Sequence, residues 1–320
     1  MRKLGTAISA FALISCLAGT PAAFADTASH RPGKAGYGDI VPANLRVPAG
    51  SVGANPNAQP DAAGNVPHIC AGKKLLHHSH VDAAYVTNLQ GKLAVTVVDG
   101  QHVTEDPNSI CVRLAPDADN AAGNEVSRIK VPNNSLYSFL GKPGTAVWNA
   151  PQEQIDNWRP VWAGVGAFDT AHEISLPENV LLNRVWLKMI SNTGPGDVNV
   201  WRTEGFGGIV RGLTSQGDLE PLLLDLGSHG HWNWSFSESG VYRLGFQAGY
   251  ELVKADPAEK TVTSVPSYVT WLVGSDTEVG LPAGTTTALN TIKTPTAASE
   301  TIPNPADSPN PAAPPSDTEK

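Results

Sequence analysis

The chain has 320 residues, of which 41% are hydrophobic and 16% are charged, and its formal net charge is −8 at pH 7. An acidic chain has no electrostatic basis for binding nucleic acid, so that class of function is excluded at the outset.

Residues 1–25 have the pattern of a secretion signal. Arg2 and Lys3 form the positive end, residues 4–18 are mostly apolar, and Ala23-Phe-Ala25 is a small-residue cleavage site. This stretch is too short to span a bilayer stably. We therefore expect cleavage after Ala25 and a secreted protein of net charge −10, since Arg2 and Lys3 are the charges lost. The alternative is a lipoprotein, because Leu13-Ile-Ser-Cys16 resembles a bacterial lipobox that would be modified at Cys16.

Two flanking regions have compositions typical of disorder. Residues 26–66 are rich in Gly, Pro, Ala and Asn, and we predict a flexible arm. Residues 277–320 contain repeated prolines, and we predict a disordered Pro-rich tail. Neither region contains an apolar segment, so we expect no transmembrane segment in the mature chain.

Residues 67–276 form the predicted folded domain. Short apolar runs alternate with turns rich in Gly, Pro and Asn, and Leu89-Gln-Gly91 is typical of a hairpin turn. No long stretch has a sustained helical period. We therefore predict an all-β, antiparallel β-sandwich of the immunoglobulin-like kind. The predicted strands cover residues 77–88, 92–98, 109–114, 128–131, 185–190, 198–202, 222–226 and 268–274.

Residues 226–246 are predicted to form a β-hairpin that turns at Ser237-Glu-Ser-Gly240. Side chains alternate between the two faces of a strand. Trp232, Trp234 and Phe236 are therefore expected to face the core. His229, His231 and Asn233 would lie on the opposite face.

Residues 139–162 have neither a strand nor a helix period, and we predict a long aromatic loop there. Its tryptophans, Trp148, Trp158 and Trp162, are expected to cover one end of the sandwich. Gln152 stands out as a polar residue among apolar ones.

Cys70 and Cys111 remain after the signal is removed, and an exported pair is most simply a disulfide. On the chain-entropy model such a bridge stabilises the fold by about 4 kcal/mol.

Several motifs occur in an order that resembles a known family. The chain is similar to the actinobacterial surface-anchored protein domain, also described as the ABC-transporter-associated repeat or choice-of-anchor M domain. The resemblance covers about residues 74–274 and implies an extracellular context beside metal-type ABC importers. The chain departs from the family in having one copy, no wall-anchoring end and an extra cysteine pair. The motifs are His80-Val-Asp82, Phe139-Leu-Gly, Val147-Trp-Asn-Ala-Pro-Gln152, Gly194-Pro-Gly-Asp197, Phe206-Gly-Gly208 and His229-x-His-x-Asn-Trp-x-Phe236.

His80 and Asp82 share one strand face, as do His229 and His231. If the two segments converge, their imidazoles and carboxylate form a donor set suited to zinc. Asn233 and Gln152 would then hold the imidazoles in orientation from a second layer. The competing interpretation is a buried hydrogen-bonded network that rigidifies the sandwich without a metal.

The motifs of the common enzyme classes are missing. There is no Gly-x-Ser-x-Gly sequence, and His172-Glu173 lacks the second histidine of a zinc-protease helix. Gly164-Val-Gly166 lacks the third glycine of a dinucleotide-binding turn.

We therefore predict an exported, non-catalytic binding protein auxiliary to a zinc- or manganese-type ABC uptake system. Its expected partners are transporter components or a solute-binding protein. The alternative is a cell-surface adhesion or structural module that has no metal site and binds through the aromatic loop.

Overall fold

The computed structural model describes residues 39–118, 123–155, 159–253 and 260–285. The predicted signal peptide with Cys16, residues 286–320 of the predicted tail, and Trp158 lie outside this part of the chain. No helix among the described residues is long and apolar enough to cross a membrane.

The regular secondary structure of the described residues is mostly β-strand, with four short 3₁₀ helices at Ser135–Leu140, Leu181–Asn183, Gly205–Gly207 and Thr277–Val279. The strands are β1 (Asp39–Ile40), β2 (Arg46–Pro48), β3 (Asn65–Pro67), β4 (Lys74–Leu76), β5 (His80–Leu89), β6 (Lys92–Asp99), β7 (Thr104–Glu105), β8 (Ile110–Leu114), β9 (Arg128–Lys130), β10 (Ala146–Ala150), β11 (Trp162–Ala167), β12 (Arg184–Asn192), β13 (Val198–Thr203), β14 (Ile209–Thr214), β15 (Leu222–Asp225), β16 (Ser228–His231), β17 (Asn233–Phe236), β18 (Gly240–Glu251), β19 (Thr261–Thr263) and β20 (Ser267–Val273).

Three sheets contain most of these strands. Sheet 1 has the order β1-β4-β8-β20-β18-β12-β15, with β19 also paired to β18. Sheet 2 has the order β14-β13-β17-β10-β9, and sheet 3 has the order β16-β11-β5-β6-β7. Most pairs are antiparallel, whereas β4–β8, β8–β20 and β5–β11 are parallel. The predicted all-β sandwich class is confirmed, with sheets 1 and 3 of mixed direction.

Aromatic side chains fill the space between sheets 1 and 2. Trp234 of β17 stacks on Trp271 of β20 with ring centroids 5.1 Å apart, and Phe246 of β18 meets Trp234 edge-on. All three side chains are fully buried. Burial of each large side chain contributes about 1.5–3 kcal/mol, so this cluster is a main source of cohesion between the layers.

The hairpin of β5 and β6 is confirmed. Gln90 and Gly91 both have positive φ, at 50° and 75°, and Leu89 pairs with Lys92. Positive φ at both central residues is the conformation that matches a two-residue turn to the twist of its strands.

The predicted hairpin over residues 226–246 is wrong. β16, β17 and β18 lie in sheets 3, 2 and 1 respectively, so the chain crosses between layers instead of folding back beside itself. Trp232, Trp234 and Phe236 are buried as expected, but Asn233 and Ser235 between them are buried as well, so burial does not alternate along this segment. Phe236 and Tyr242 meet edge-on with centroids 4.9 Å apart, across the layers. A short turn containing glycine fits such a crossing as well as it fits a hairpin.

The predicted aromatic loop contains a central strand. β10 (Ala146–Ala150) pairs with both β9 and β17 inside sheet 2. Four of its five residues are buried, including Trp148, so no period of two is visible in the sequence. A strand covered on both faces has a continuous apolar pattern, which explains why it was missed.

The predicted flexible arm and disordered tail are wrong for residues 39–66 and 277–285, which are ordered, and Val279 and Leu281 at the start of the tail are buried. β1 pairs with β4 in sheet 1, β2 pairs with β3, and Val41, Val47 and Val66 are buried. Turns hydrogen-bonded within the segment order it despite its few apolar residues. The predicted disulfide between Cys70 and Cys111 is present, with a Cα–Cα distance of 6.2 Å, and it joins this region to β8.

Candidate metal centre

The four predicted ligands meet at one point on sheet 3. One donor atom from each of His80, Asp82, His229 and His231 lies within 4.8 Å of the other three. His80 Nε2 is 3.1 Å from His231 Nε2 and 3.4 Å from His229 Nε2. Asp82 Oδ1 is 2.9 Å from His229 Nε2 and 3.7 Å from His80 Nε2. The predicted convergence of the two segments is therefore observed.

The two ligand strands are not neighbours. β11 lies between them, parallel to β5 and antiparallel to β16. Gly164 of β11 is in register with Asp82 on one side and His231 on the other. The two side chains must therefore meet across the intervening strand.

Gly164 makes that meeting possible. A Cβ atom at this position would lie 2.5 Å from Asp82 Oδ1, 3.1 Å from Gly230 O and 3.3 Å from His231 Cε1. Contacts below 3.0 Å are essentially never found for real Cβ atoms, so only glycine leaves the space above β11 open. The Gly164-Val-Gly166 sequence thus forms the floor of the site, not part of a nucleotide-binding turn.

A β-bulge in β5 arranges the surroundings of Asp82. The register with β11 shifts between Gly164 and Val165, and the register with β6 shifts between Asp82 and Tyr85. An extra residue on one strand re-aims the side chains that follow it. Here it places Tyr85 beside the site, with its ring 5.4 Å from that of His172.

Burial and charge prepare the four groups to act as ligands. Asp82 is fully buried, while the side chains of His80 and His229 are 14% and 27% exposed. Burial alone would raise the pKa of the Asp82 carboxyl, but close contacts from His172 and His229 hold that pKa below its ordinary value. Asp82 is therefore ionised at neutral pH.

The histidines divide into two groups. Burial lowers the pKa of His80, and it lowers the pKa of His231 to about 3, with the neighbouring His80 adding to the effect. These two rings are neutral at pH 7, as metal ligation requires. The contact with Asp82 raises the pKa of His229 against the effect of burial, so this ring is the one that a proton occupies most readily.

The four donor atoms lie close enough together to hold one metal ion. Zinc–nitrogen and zinc–oxygen distances of about 2.0–2.2 Å place tetrahedral ligands about 3.3–3.6 Å apart. Four of the six separations between these donor atoms run from 2.9 to 3.7 Å, and all six are within 4.8 Å. Both Asp82 oxygens are buried, and neither has a well-aligned hydrogen bond. A cation among these atoms would satisfy Oδ1, the oxygen that faces His80 and His229.

Trp162 and the predicted second-layer residues support the site from one side. Trp162 stacks on His231 with ring centroids 3.4 Å apart, and its Nε1–H donates to Gln152 O at 2.9 Å. Gln152 Oε1 accepts from the Thr203 N–H, and Asn233 Oδ1 accepts from Asn149 Nδ2 and the Gln152 N–H. The expectation that Gln152 and Asn233 hold the imidazoles directly is therefore corrected. Both polar side chains bind the neighbouring backbone and amides, and Gln152 reaches His231 only through Trp162.

Three residues of the surroundings were missed from the sequence. His172 Nε2 lies 3.3 Å from Asp82 Oδ2, and His172 Nδ1 lies 3.0 Å from His102 Nδ1. Asp169 Oδ2 lies 3.7 Å from His229 Nδ1. Their turns have no alternating pattern, and the only signal was the presence of His and Asp after a buried strand.

His78, which precedes the site in sequence, lies in a different cluster. Its Nε2 is 2.7 Å from Asp117 Oδ2, and Asp117 also accepts from Arg159 at 2.9 Å. The ring of His77 lies 4.9 Å from that of His78.

Comparisons with protein-family models, with curated proteins and with solved structures find no match to the chain.

Proposed function

We propose that the chain is an exported zinc-binding protein that holds one ion between His80, Asp82, His229 and His231. The observation that carries the proposal is the convergence of three imidazoles and one carboxylate, whose donor atoms all lie within 4.8 Å of one another. A ready-made arrangement of this kind lowers the ordering cost of capturing a metal ion.

The donor set favours zinc over the hard cations. Three imidazoles and one carboxylate suit zinc and similar transition metals, whereas calcium and magnesium prefer a shell of oxygen ligands. A set of four donors with three imidazole nitrogens favours zinc over manganese, which prefers more oxygen ligands and octahedral geometry.

A metal-free network accounts for most of these contacts, since His229 Nε2 can donate to Asp82 Oδ1 at 2.9 Å, but it leaves one nitrogen–nitrogen contact without a hydrogen. His80 Nε2 lies within 3.4 Å of two other ring nitrogens, His229 Nε2 and His231 Nε2. A neutral imidazole nitrogen carries at most one hydrogen, so His80 Nε2 can donate to only one of the two. A shared cation would satisfy all three nitrogens at once.

Binding is favoured over catalysis. Zinc held by four protein ligands is the pattern of closed sites, whereas catalytic zinc keeps one position for water or substrate. His229 is the most exposed of the four proposed ligands, and its strand β16 is at the edge of sheet 3. An ion at this edge is accessible to an exchanging partner.

The link to metal uptake rests on the family resemblance and on export. The Cys70–Cys111 bridge is compatible with an oxidising compartment outside the cytoplasm. In this role the protein captures zinc outside the cell and delivers it to transporter components or to a solute-binding protein.

The adhesion alternative gains little from the tryptophans of the described chain. Trp148 is buried with the guanidinium of Arg128 over its ring, and Trp162 is stacked against His231. Neither ring forms an open platform on which a glycan could stack.

Calorimetric titration of zinc into the exported, chelator-treated chain tests the proposal. We expect one ion per chain and a dissociation constant below about 1 μM, which corresponds to about −8 kcal/mol. The double variant His229→Ala/His231→Ala should lose this binding, while His78→Gln, whose ring contacts Asp117, should keep it. Indistinguishable heats for the wild type and the double variant would refute the proposed site.

A further inference from the structure

The two oxygens of Asp82 have different neighbours. Oδ1 faces the ring nitrogens of His229 and His80, at 2.9 and 3.7 Å. Oδ2 points the other way and lies 3.3 Å from Nε2 of His172, which is buried. Only one oxygen is therefore directed at the centre of the ligand cluster.

His229 is likewise contacted on both sides of its ring. Nε2 faces Asp82, and Nδ1 faces Asp169 Oδ2 at 3.7 Å. Asp169 Oδ2 is also 3.9 Å from His172 Nε2. A carboxylate behind a ligating histidine fixes the ring orientation and increases its basicity as a ligand.

Asp169 and His172 belong to one tightly held turn that directly follows β11. The Asp169 carboxylate accepts from the Ala171 N–H at 2.9 Å, and the Asp169 carbonyl accepts from the N–H groups of His172 and Glu173. The turn is thus closed by its own hydrogen bonds.

Glu173 attaches this turn to the ligand strand. Its Oε1 accepts from the Tyr85 hydroxyl at 3.0 Å and from the Thr87 hydroxyl at 2.7 Å. Both residues lie on β5, the strand that carries His80 and Asp82. The turn is therefore fixed to the same strand whose ligands it contacts.

We propose that Asp169 and His172 are positioning residues of the zinc site. His172 holds Asp82 Oδ2 away from the ion, so that Asp82 binds through Oδ1 alone. Asp169 holds the His229 ring with Nε2 toward the ion. This inference rests on the proposed function, since it concerns the geometry of the same site.

The test compares the full-length variants Asp169→Asn and His172→Phe with the wild type and with His78→Gln. Zinc affinity is measured by calorimetry, coordination by the visible absorption of the cobalt-substituted protein, and folding by thermal unfolding of the metal-free protein. We expect each variant to bind zinc tenfold to 100-fold more weakly and to change the cobalt spectrum. The unfolding temperature of metal-free Asp169→Asn should equal that of the wild type.

The outcomes separate this inference from the proposed function. Zinc binding and cobalt spectra that are unchanged in both variants would overturn the positioning roles and leave the zinc site standing. A wild-type protein that binds no zinc would overturn the proposed function and this inference together. Asp169→Asn decides the role of Asp169, because Asn has the shape of Asp. If His172→Phe does not fold, His172→Gln takes its place and decides the role of His172 by the same measurements.

Discussion

Gly164 has no side chain, and for that reason it determines whether the ligands can meet. Asp82 and His231 flank it in register, and a Cβ added at Gly164 would lie 2.5 Å from Asp82 Oδ1 and 3.3 Å from His231 Cε1. The sequence predicted the ligands from their alternation along two strands. It could not predict Gly164, because its role depends on which strand lies between the other two.

Substitution of Gly164 tests this role. In Gly164→Ala the new methyl group would lie 2.5 Å from Asp82 Oδ1, so we expect zinc affinity to fall at least tenfold. Because neighbouring atoms must shift to make room for the methyl group, the free energy of unfolding should also fall by about 1–3 kcal/mol, as measured by urea denaturation.

Gly230→Ala is the matched control. Gly230 lies between His229 and His231 on β16, and the nearest atom to an added Cβ is Trp232 Nε1, 4.0 Å away. We expect this variant to bind zinc as the wild type does. Equal affinity in Gly164→Ala and the wild type would show that the floor of the site need not be glycine.

The positions of strands along the chain were easier to predict than the strands with which they pair. The hairpin of β5 and β6 follows from a local turn, and each ligand pair follows from the period of two along one strand. The partners of β16, β17 and β18 depend instead on packing between residues far apart in sequence. Residues 226–246 were therefore assigned to one hairpin, whereas they enter three sheets.

The Cys70–Cys111 bridge joins the N-terminal segment to β8 in sheet 1, away from the ligand strands of sheet 3. With a sequence separation of 41, its loss should cost about 4 kcal/mol on the chain-entropy model. Urea denaturation of Cys70→Ser/Cys111→Ser measures this cost. Zinc affinity of the folded variant should be unchanged, and a large loss of affinity would contradict the separation of the bridge from the site.

His68 connects the same segment to the end of the described domain. Its Nε2 lies 2.9 Å from Val279 O, and its Nδ1 accepts from the Cys70 N–H at 3.1 Å. Burial lowers the pKa of His68 below the ordinary 6.5. The folded state therefore binds fewer protons than the unfolded state between the lowered pKa and 6.5, and the free energy of unfolding falls as the pH falls through that range.

We expect the metal-free wild type to lose more stability between pH 7 and pH 5 than His68→Gln does. Urea denaturation at several pH values gives the two slopes. Parallel slopes would mean that His68 titrates alike in the folded and unfolded states.

At the scale of the whole molecule, the site depends on the position of β11 between β5 and β16 in sheet 3. Trp162 is the first residue of β11, and the Asp169–Glu173 turn follows the end of that strand. Both contact the proposed ligands. The fold class followed from the density of short strands and turns. The site surroundings did not, because His172 and Asp169 reach the ligands only after β11 has been placed between β5 and β16.

The central claim is that one zinc ion sits among four named atoms. The direct measurement is a crystal structure of the zinc-loaded protein with anomalous diffraction collected at the zinc absorption edge. We predict one strong peak about 2.0–2.2 Å from His80 Nε2, Asp82 Oδ1, His229 Nε2 and His231 Nε2. A zinc peak bound elsewhere, or hydrogen bonds joining these side chains with no zinc between them, would contradict the account.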